Sequence, residues 1–242
     1  MNLIVDVGNT YVKFAVFDNG NLIYKMSFKL NEFKMQYKNL KKAYPKLNKA
    51  IVSSVGHLSK KEIALIESDM PITELNVETN LPFENLYATP KTLGVDRIAL
   101  VSASVDQFLD NNVLIIDAGT CITYDFITKD NKYLGGAISP GIRLRYKALH
   151  SLTANLPLLE TKVPKNIIGD STESSIHSGV VNGVVNEIDG IIGQYLKEYS
   201  DLTVILTGGD TKFLLNQLKN TIFANSDFLL EGLNFILEYN SK

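Results

Sequence analysis

A pattern near the start of the chain returns whole in its middle. Residues 4–18, IVDVGNTYVKFAVFD, set an apolar strand before Asp6 and Gly8 and a second strand around Lys13. Residues 113–127, VLIIDAGTCITYDFI, place Asp117 and Gly119 at the same positions, 111 residues further on. The polar turn DNG at 18–20 is matched at that spacing by KDN at 129–131. Each copy reads as strand, turn, strand, polar turn and third strand, the first meander covering 2–29. A whole three-strand unit repeated in order predicts two like halves. The boundary falls near 111–112, giving domains 1–111 and 112–242, and 242 residues suffice for two domains of about 120 each.

Between the copies, the spacing predicts a helix at 31–43, a short apolar strand (AIVSSV) at 50–55, a helix at 59–68 and a strand at 72–77. A clear helix follows at 94–109, with Ile98, Val101, Val105 and Phe108 on one face. After the second meander come a helix starting near Gly141 and a long helix at 170–199, opened by Asp170 with Glu173 in a capping-box arrangement. Gly179, Gly183, Gly190 and Gly193 in that helix point to close helix–helix approach. TVILTGGD at 203–210 is a further strand that ends in a glycine turn and enters a helix. Strands alternating with helices make an α/β protein.

Charge and cysteine usage exclude several classes. The formal net charge is −2, and the one locally basic stretch, KNLKKAYPKLNK, interleaves Leu40, Ala43 and Leu47 as on an amphipathic helix. No nucleic-acid partner is expected. Cys121 is the single cysteine, so neither an intramolecular disulfide nor a thiolate-rich metal site can form. It reads as a packed small residue. His57, His150 and His177 lack ligand spacing. No apolar run approaches the ~20 residues of a membrane span, and no signal-peptide pattern precedes the first strand, so a cytoplasmic protein without membrane contact is expected.

Three apolar strands end in DVGNT, DAGT and TGGD. Glycine at a strand end lets backbone N–H groups approach a phosphate, Thr and Asn add donors, and Lys13 adds a compact cation. An Asp in such a turn can hold a hydrated cation that contacts the phosphate in its place. GVDR at 94–97 sets Asp96 at a helix start, where the dipole favours an anion and a carboxylate could accept the proton of an attacking alcohol. Asp125, on the second strand of its meander, reads as structural.

Taken together, DVGNTYVK, TLGVDRIA, DAGTCITYD, GGAISPG and TANLP resemble, in order, the type III pantothenate kinases of the acetate and sugar kinase/Hsp70/actin superfamily. The resemblance runs from residue 2 to about 235. It implies duplicated ribonuclease-H-like (actin-like ATPase) α/β domains with mixed sheets and a nucleotide cleft between them. It also implies transfer of the γ-phosphoryl group of ATP to the primary hydroxyl of pantothenate, the first step of coenzyme A synthesis. By that resemblance Asp6, Val7, Gly8, Asn9, Thr10, Tyr11, Val12 and Lys13 form the ATP segment, with Asp6 on magnesium directly or through water. Thr120 is a second ATP contact, Asp117 binds a monovalent cation (potassium or ammonium), and TGGD lies in the adenosine loop. Asp96 is the catalytic base, and Tyr87, Gly94, Val95, Asp96, Arg97 and Thr172 contact pantothenate, in a homodimer that shares the substrate site between subunits. Two other readings share the phosphate turns: a kinase of the superfamily with another small hydroxyl substrate, and a non-catalytic nucleotide-binding regulator. GVDR, Tyr87 and Thr172 are the features that separate them from the first.

Overall fold

The computed structural model describes residues 1–241 apart from Asn9 and residues 55–57. In chain order the strands and helices are β1 (Asn2–Val7), β2 (Val12–Asp18), β3 (Asn21–Phe28), α1 (Phe33–Ala43), β4 (Lys49–Ser54), α2 (Lys60–Glu67), β5 (Ile72–Glu74), β6 (Glu84–Asn85) and α3 (Val95–Gln107). There follow β7 (Asn112–Ala118), β8 (Cys121–Ile127), β9 (Lys132–Pro140), α4 (Ile142–Ser151), α5 (Thr172–His177), α6 (Gly183–Glu198), β10 (Leu202–Thr207), α7 (Thr211–Leu215), β11 (Phe223–Ala224) and α8 (Phe228–Tyr239).

The repeat builds the same sheet twice. One sheet runs β3-β2-β1-β4-β5, and the other runs β6-β9-β8-β7-β10-β11, with the short β6 added at its edge. In each, the first strand is central, antiparallel to the second and parallel to the fourth, so both sheets are mixed. The first two strands meet directly through the turn, while the parallel partner requires a crossover carrying helices. Two compact units result: residues 1–109 with 131–133 and 227–242, and residues 110–130 with 134–226. The start of β9 belongs to the first unit, where Lys132 and Tyr133 pair with Glu84 and Asn85 of β6.

In the first unit β1 is buried along its whole length because helices cover both faces of its sheet. On one side Leu3, Val5 and Val7 join Phe14, Phe28, Phe33, Tyr37, Leu40 and Ile66 from β2, β3, α1 and α2. Phe14 sits at the centre of edge-on ring contacts to Phe28, Phe33 and Tyr37, at centroid distances of 4.6, 5.2 and 6.5 Å. Truncating such a ring to alanine costs about 3–5 kcal/mol. On the other side lie α3 and α8. They approach so closely that a Cβ at Gly232 would strike the carbonyl of Ala99. The basic stretch follows its pattern in part: Leu40 is buried in α1, but the helix ends at Ala43, which is exposed, and Leu47 is buried beyond it, with Lys38, Lys42 and Lys46 outside.

In the second unit Leu114, Ile116, Ile122, Tyr124 and Phe126 of β7 and β8 pack against Val184, Ile188 and Ile192 of α6. The long helix differs from its sequence reading in two ways. Its N-cap is Ser171, which exchanges side-chain and backbone bonds with Ser174, in place of the Asp170–Glu173 pair. It also passes through a π-helical turn at Ser178–Asn182 between α5 and α6. Its glycines make no tight approach among the described residues: a Cβ at Gly179, Gly190 or Gly193 would meet nothing within 4 Å, and one at Gly183 would touch only the Arg145 guanidinium at 3.8 Å. No helix among the described residues is long and apolar enough to cross a membrane.

Candidate active site

In the first unit the chemistry gathers at the end of β1. Asp6 stands opposite Lys13 across the β1–β2 pair, and the Lys13 ammonium donates to its Oδ2 at 3.3 Å. Asp6 is only 6% exposed. Burial raises its pKa, Lys13 pulls it down, and the nearby charge of Asp96 pushes it up again, leaving it above the ordinary carboxylate value. A buried carboxylate with a second, half-buried carboxylate nearby suits a bound cation. Mg²⁺ takes one or two carboxylates and fills the rest of its shell with phosphate oxygens and water. The turn after β1 is closed by the Gly8 N–H bonding to the Tyr11 carbonyl at 3.1 Å, with Thr10 and Tyr11 exposed. Val7 and Val12, which close the pairing, are buried in the core. Asn9 lies outside the described residues.

Asp96 occupies the first turn of α3, whose N-cap is Gly94. Its Oδ1 accepts the N–H of Arg97 at 2.9 Å and folds back over Gly94, where a Cβ would collide with that oxygen. Glycine at 94 is thus a condition for this carboxylate position. Val95, beside it, is half-buried. Arg97 is buried, and its guanidinium lies 5.4 Å from the ring centre of Tyr87 and 6.0 Å from that of Tyr133. The two rings stack at 6.1 Å. Contacts of this kind stabilise by about 0.5–2 kcal/mol each and fix the guanidinium plane. Tyr133, fully buried, is a member of this group that the motifs do not reveal. Its only sequence signal is an aromatic residue at a strand start, which any core position could explain.

The second unit repeats the turn with different neighbours. The Gly119 N–H bonds to the carbonyl of Cys121 at 2.9 Å, and Ala118 pairs with Ile122, so this turn is one residue shorter than the first. Thr123 stands opposite Asp117, the position Lys13 holds opposite Asp6. The Oγ1 of Thr123 is buried with no hydrogen-bond partner among the described residues. Two other loops close on the turn. Gly141 donates to the Thr120 carbonyl at 3.0 Å, and Asp210 donates to the Ala118 carbonyl at 2.9 Å. Gly208 has φ +93°, and a side chain there would strike the Asp117 carboxylate. Asp210 is held in turn by Arg143 through bonds of 2.7 and 3.3 Å, a pair that sequence reading passed over. Thr120 is exposed in the turn, and Thr172 is exposed in the first turn of α5. Cys121 is exposed as well, not packed, because it opens β8 within the turn. Asp125 is fully buried, as its strand position suggested.

An α/β chain with a duplicated mixed sheet, each bearing an Asp-x-Gly turn at the end of its central strand, has the architecture of the actin-like kinases. Solved structures agree on the fold. A conserved protein of the Baf family from Campylobacter jejuni aligns with a TM-score of 0.64 at 23% identity, covering 99% of this chain and 98% of its own. A ROK family glucokinase from Streptomyces griseus aligns with a TM-score of 0.55 at 10% identity, covering 98% of both chains. Sequence narrows the class. The profile of the type III pantothenate kinases matches residues 2–194. The type III pantothenate kinase of Christiangramia forsetii is 53% identical over 99% of both chains, and that of Flavobacterium johnsoniae is 50% identical over 99% of this chain and 98% of its own. This chain belongs to the type III pantothenate kinase family. Membership implies ATP with a divalent metal as the phosphoryl donor.

Proposed function

We propose that this chain phosphorylates the primary hydroxyl of pantothenate with ATP, giving 4′-phosphopantothenate and opening coenzyme A synthesis. The observation that carries the reading is the placement of Asp6, Lys13, Asp96, Arg97 and Tyr87 in one unit of a chain belonging to this family. Asp96 is the general base. One of its oxygens is fixed by the Arg97 N–H, and the other takes the hydroxyl proton as the alcohol oxygen attacks the γ-phosphorus and the bond to the β-phosphate breaks. Asp6 holds the magnesium that accompanies ATP. Residues 7–13 lie along the phosphates, with the Lys13 ammonium supplying positive charge. Gly94, Val95, Arg97 and Tyr87 receive pantothenate.

In the second unit, Thr120 contacts ATP and Asp117 binds potassium or ammonium. What favours a monovalent cation is the neutral Thr123 at the place where the first unit carries Lys13. The working form in this reading is a cytoplasmic homodimer whose domains divide near 111–112, with residues 131–133 and 227–242 returning to the first unit, and with Thr172 meeting the substrate of the partner subunit. Exposed Leu152, Ile167 and Ile168, and the open glycine positions of the long helix, favour such a partner. The test is ADP release from MgATP in potassium buffer, with and without pantothenate. A pantothenate-dependent rate is expected. ATP binding without such turnover would overturn the assignment and return the regulator reading.

A further inference from the structure

We propose that Ser53 is a positioning residue for phosphoryl transfer, its hydroxyl holding a water of the hydrated divalent cation against the Asp6 carboxylate. The inference rests on the reading of Asp6 as the magnesium carboxylate. Ser53 lies on β4, in the run AIVSS whose other members are apolar until the strand ends. It is fully buried, and its Oγ has no hydrogen-bond partner among the described residues. In the parallel pairing of β1 with β4, Ser53 is the register partner of Asp6, so the two side chains project from the same face of the sheet. Lys13 stands on the other flank of Asp6, which gives the row Lys13, Asp6, Ser53 across three neighbouring strands.

Lys13 occupies Oδ2 of Asp6. No direct bond joins Ser53 to the carboxylate, yet adjacent strands are only about 4.8 Å apart, a spacing that one water molecule bridges between a hydroxyl and a carboxylate. A buried hydroxyl without a partner carries a desolvation penalty that alanine at the same place would remove. Alanine is serine without the hydroxyl, so Ser53→Ala adds no atom at this buried position. Among the described residues the hydroxyl has no protein partner, and a water of a hydrated cation held at Asp6 would supply one. Groups that orient a metal's ligands typically account for 10–100-fold in metal affinity.

The experiment compares Ser53→Ala and Asp6→Asn with the unaltered enzyme, using Mn²⁺ as a paramagnetic probe and a non-hydrolysable ATP analogue. Mn²⁺ binding is read by water-proton relaxation and folding by thermal melting without nucleotide. Ser53→Ala should melt at the same or a higher temperature, bind Mn²⁺ about tenfold more weakly, and need correspondingly more Mg²⁺ for half-maximal velocity at an unchanged pantothenate KM. Unchanged Mn²⁺ affinity in Ser53→Ala, alongside weakened affinity in Asp6→Asn, would overturn the proposal while leaving Asp6 in its role. Unchanged affinity in both variants would overturn the Asp6 assignment and the proposal with it. A lower melting temperature in Ser53→Ala with unaltered Mn²⁺ binding would make the hydroxyl structural and likewise overturn it.

Discussion

The two Asp-x-Gly turns start from one pattern and end in different electrostatic settings. Asp6 is buried, paired with Lys13 and crowded by Asp96. Asp117 is half-buried, faces the neutral Thr123 and lies against Gly208. The change lies in the residue opposite the aspartate, Lys13 in the first copy and Thr123 in the second, one position beyond the pair that closes each turn. The repeated backbone is shared, and one facing side chain sets the charge each copy presents.

The largest effect expected is at Asp96, which the first half has and the second does not repeat. Asp96→Asn keeps the shape and removes the proton acceptor. The kcat should fall by about 10²–10⁴-fold while pantothenate binding by calorimetry changes little. A loss confined to binding would make Asp96 a substrate holder. A smaller effect comes from making the second turn resemble the first. Thr123→Lys sets an ammonium opposite Asp117, where a monovalent cation binds in the proposed function, and should raise the rate without potassium several-fold while flattening the potassium response. A response identical to that of the unaltered enzyme would remove the electrostatic reason for the difference between the turns.

The smallest effect concerns what supports the second turn's sheet. Glu187 accepts bonds from Tyr124, Ser139 and Arg145. Burial alone would raise its pKa, but the Arg145, Ser139 and Tyr124 bonds together hold it below its ordinary 4.5. A depressed carboxylate stabilises the fold above its unfolded pKa, and that stabilisation is lost as pH falls through the folded value. Glu187→Gln should therefore melt about 2–4 °C lower at neutral pH, with the gap closing below pH 4.5. A gap that persists in acid would assign the network to shape and not to charge.

Much of this was legible from residue order. The repeat spacing located both meanders, and GVDR placed Asp96 at the start of α3, because local pattern sets strand ends and helix starts. Contacts distant in sequence stayed hidden. The return of α8 to the first unit, and its close approach at Gly232, depend on a partner more than 120 residues away in α3. Among the described residues, Gly179, Gly190 and Gly193 of the long helix meet nothing and Gly183 only the Arg145 guanidinium, whereas Gly232 packs against the backbone of α3. Ser53 was hidden in an apolar strand, and only burial together with register shows what stands beside it. The capping box moved by one residue because Ser171 and Ser174 compete with Asp170 and Glu173 for the same helix start.

The central claim is that the repeated aspartates hold different cations. Its most direct measurement is the cation dependence of the steady-state rate in Asp6→Asn and Asp117→Asn, with Mg²⁺ and K⁺ titrated separately at saturating pantothenate. The account predicts that Asp6→Asn weakens the Mg²⁺ response and leaves the relative activation by K⁺ in place. It predicts that Asp117→Asn loses the advantage of K⁺ over Na⁺ while its Mg²⁺ response stays near that of the unaltered enzyme. Loss of the same response in both variants would show that the two turns do one job, contradicting the division drawn here.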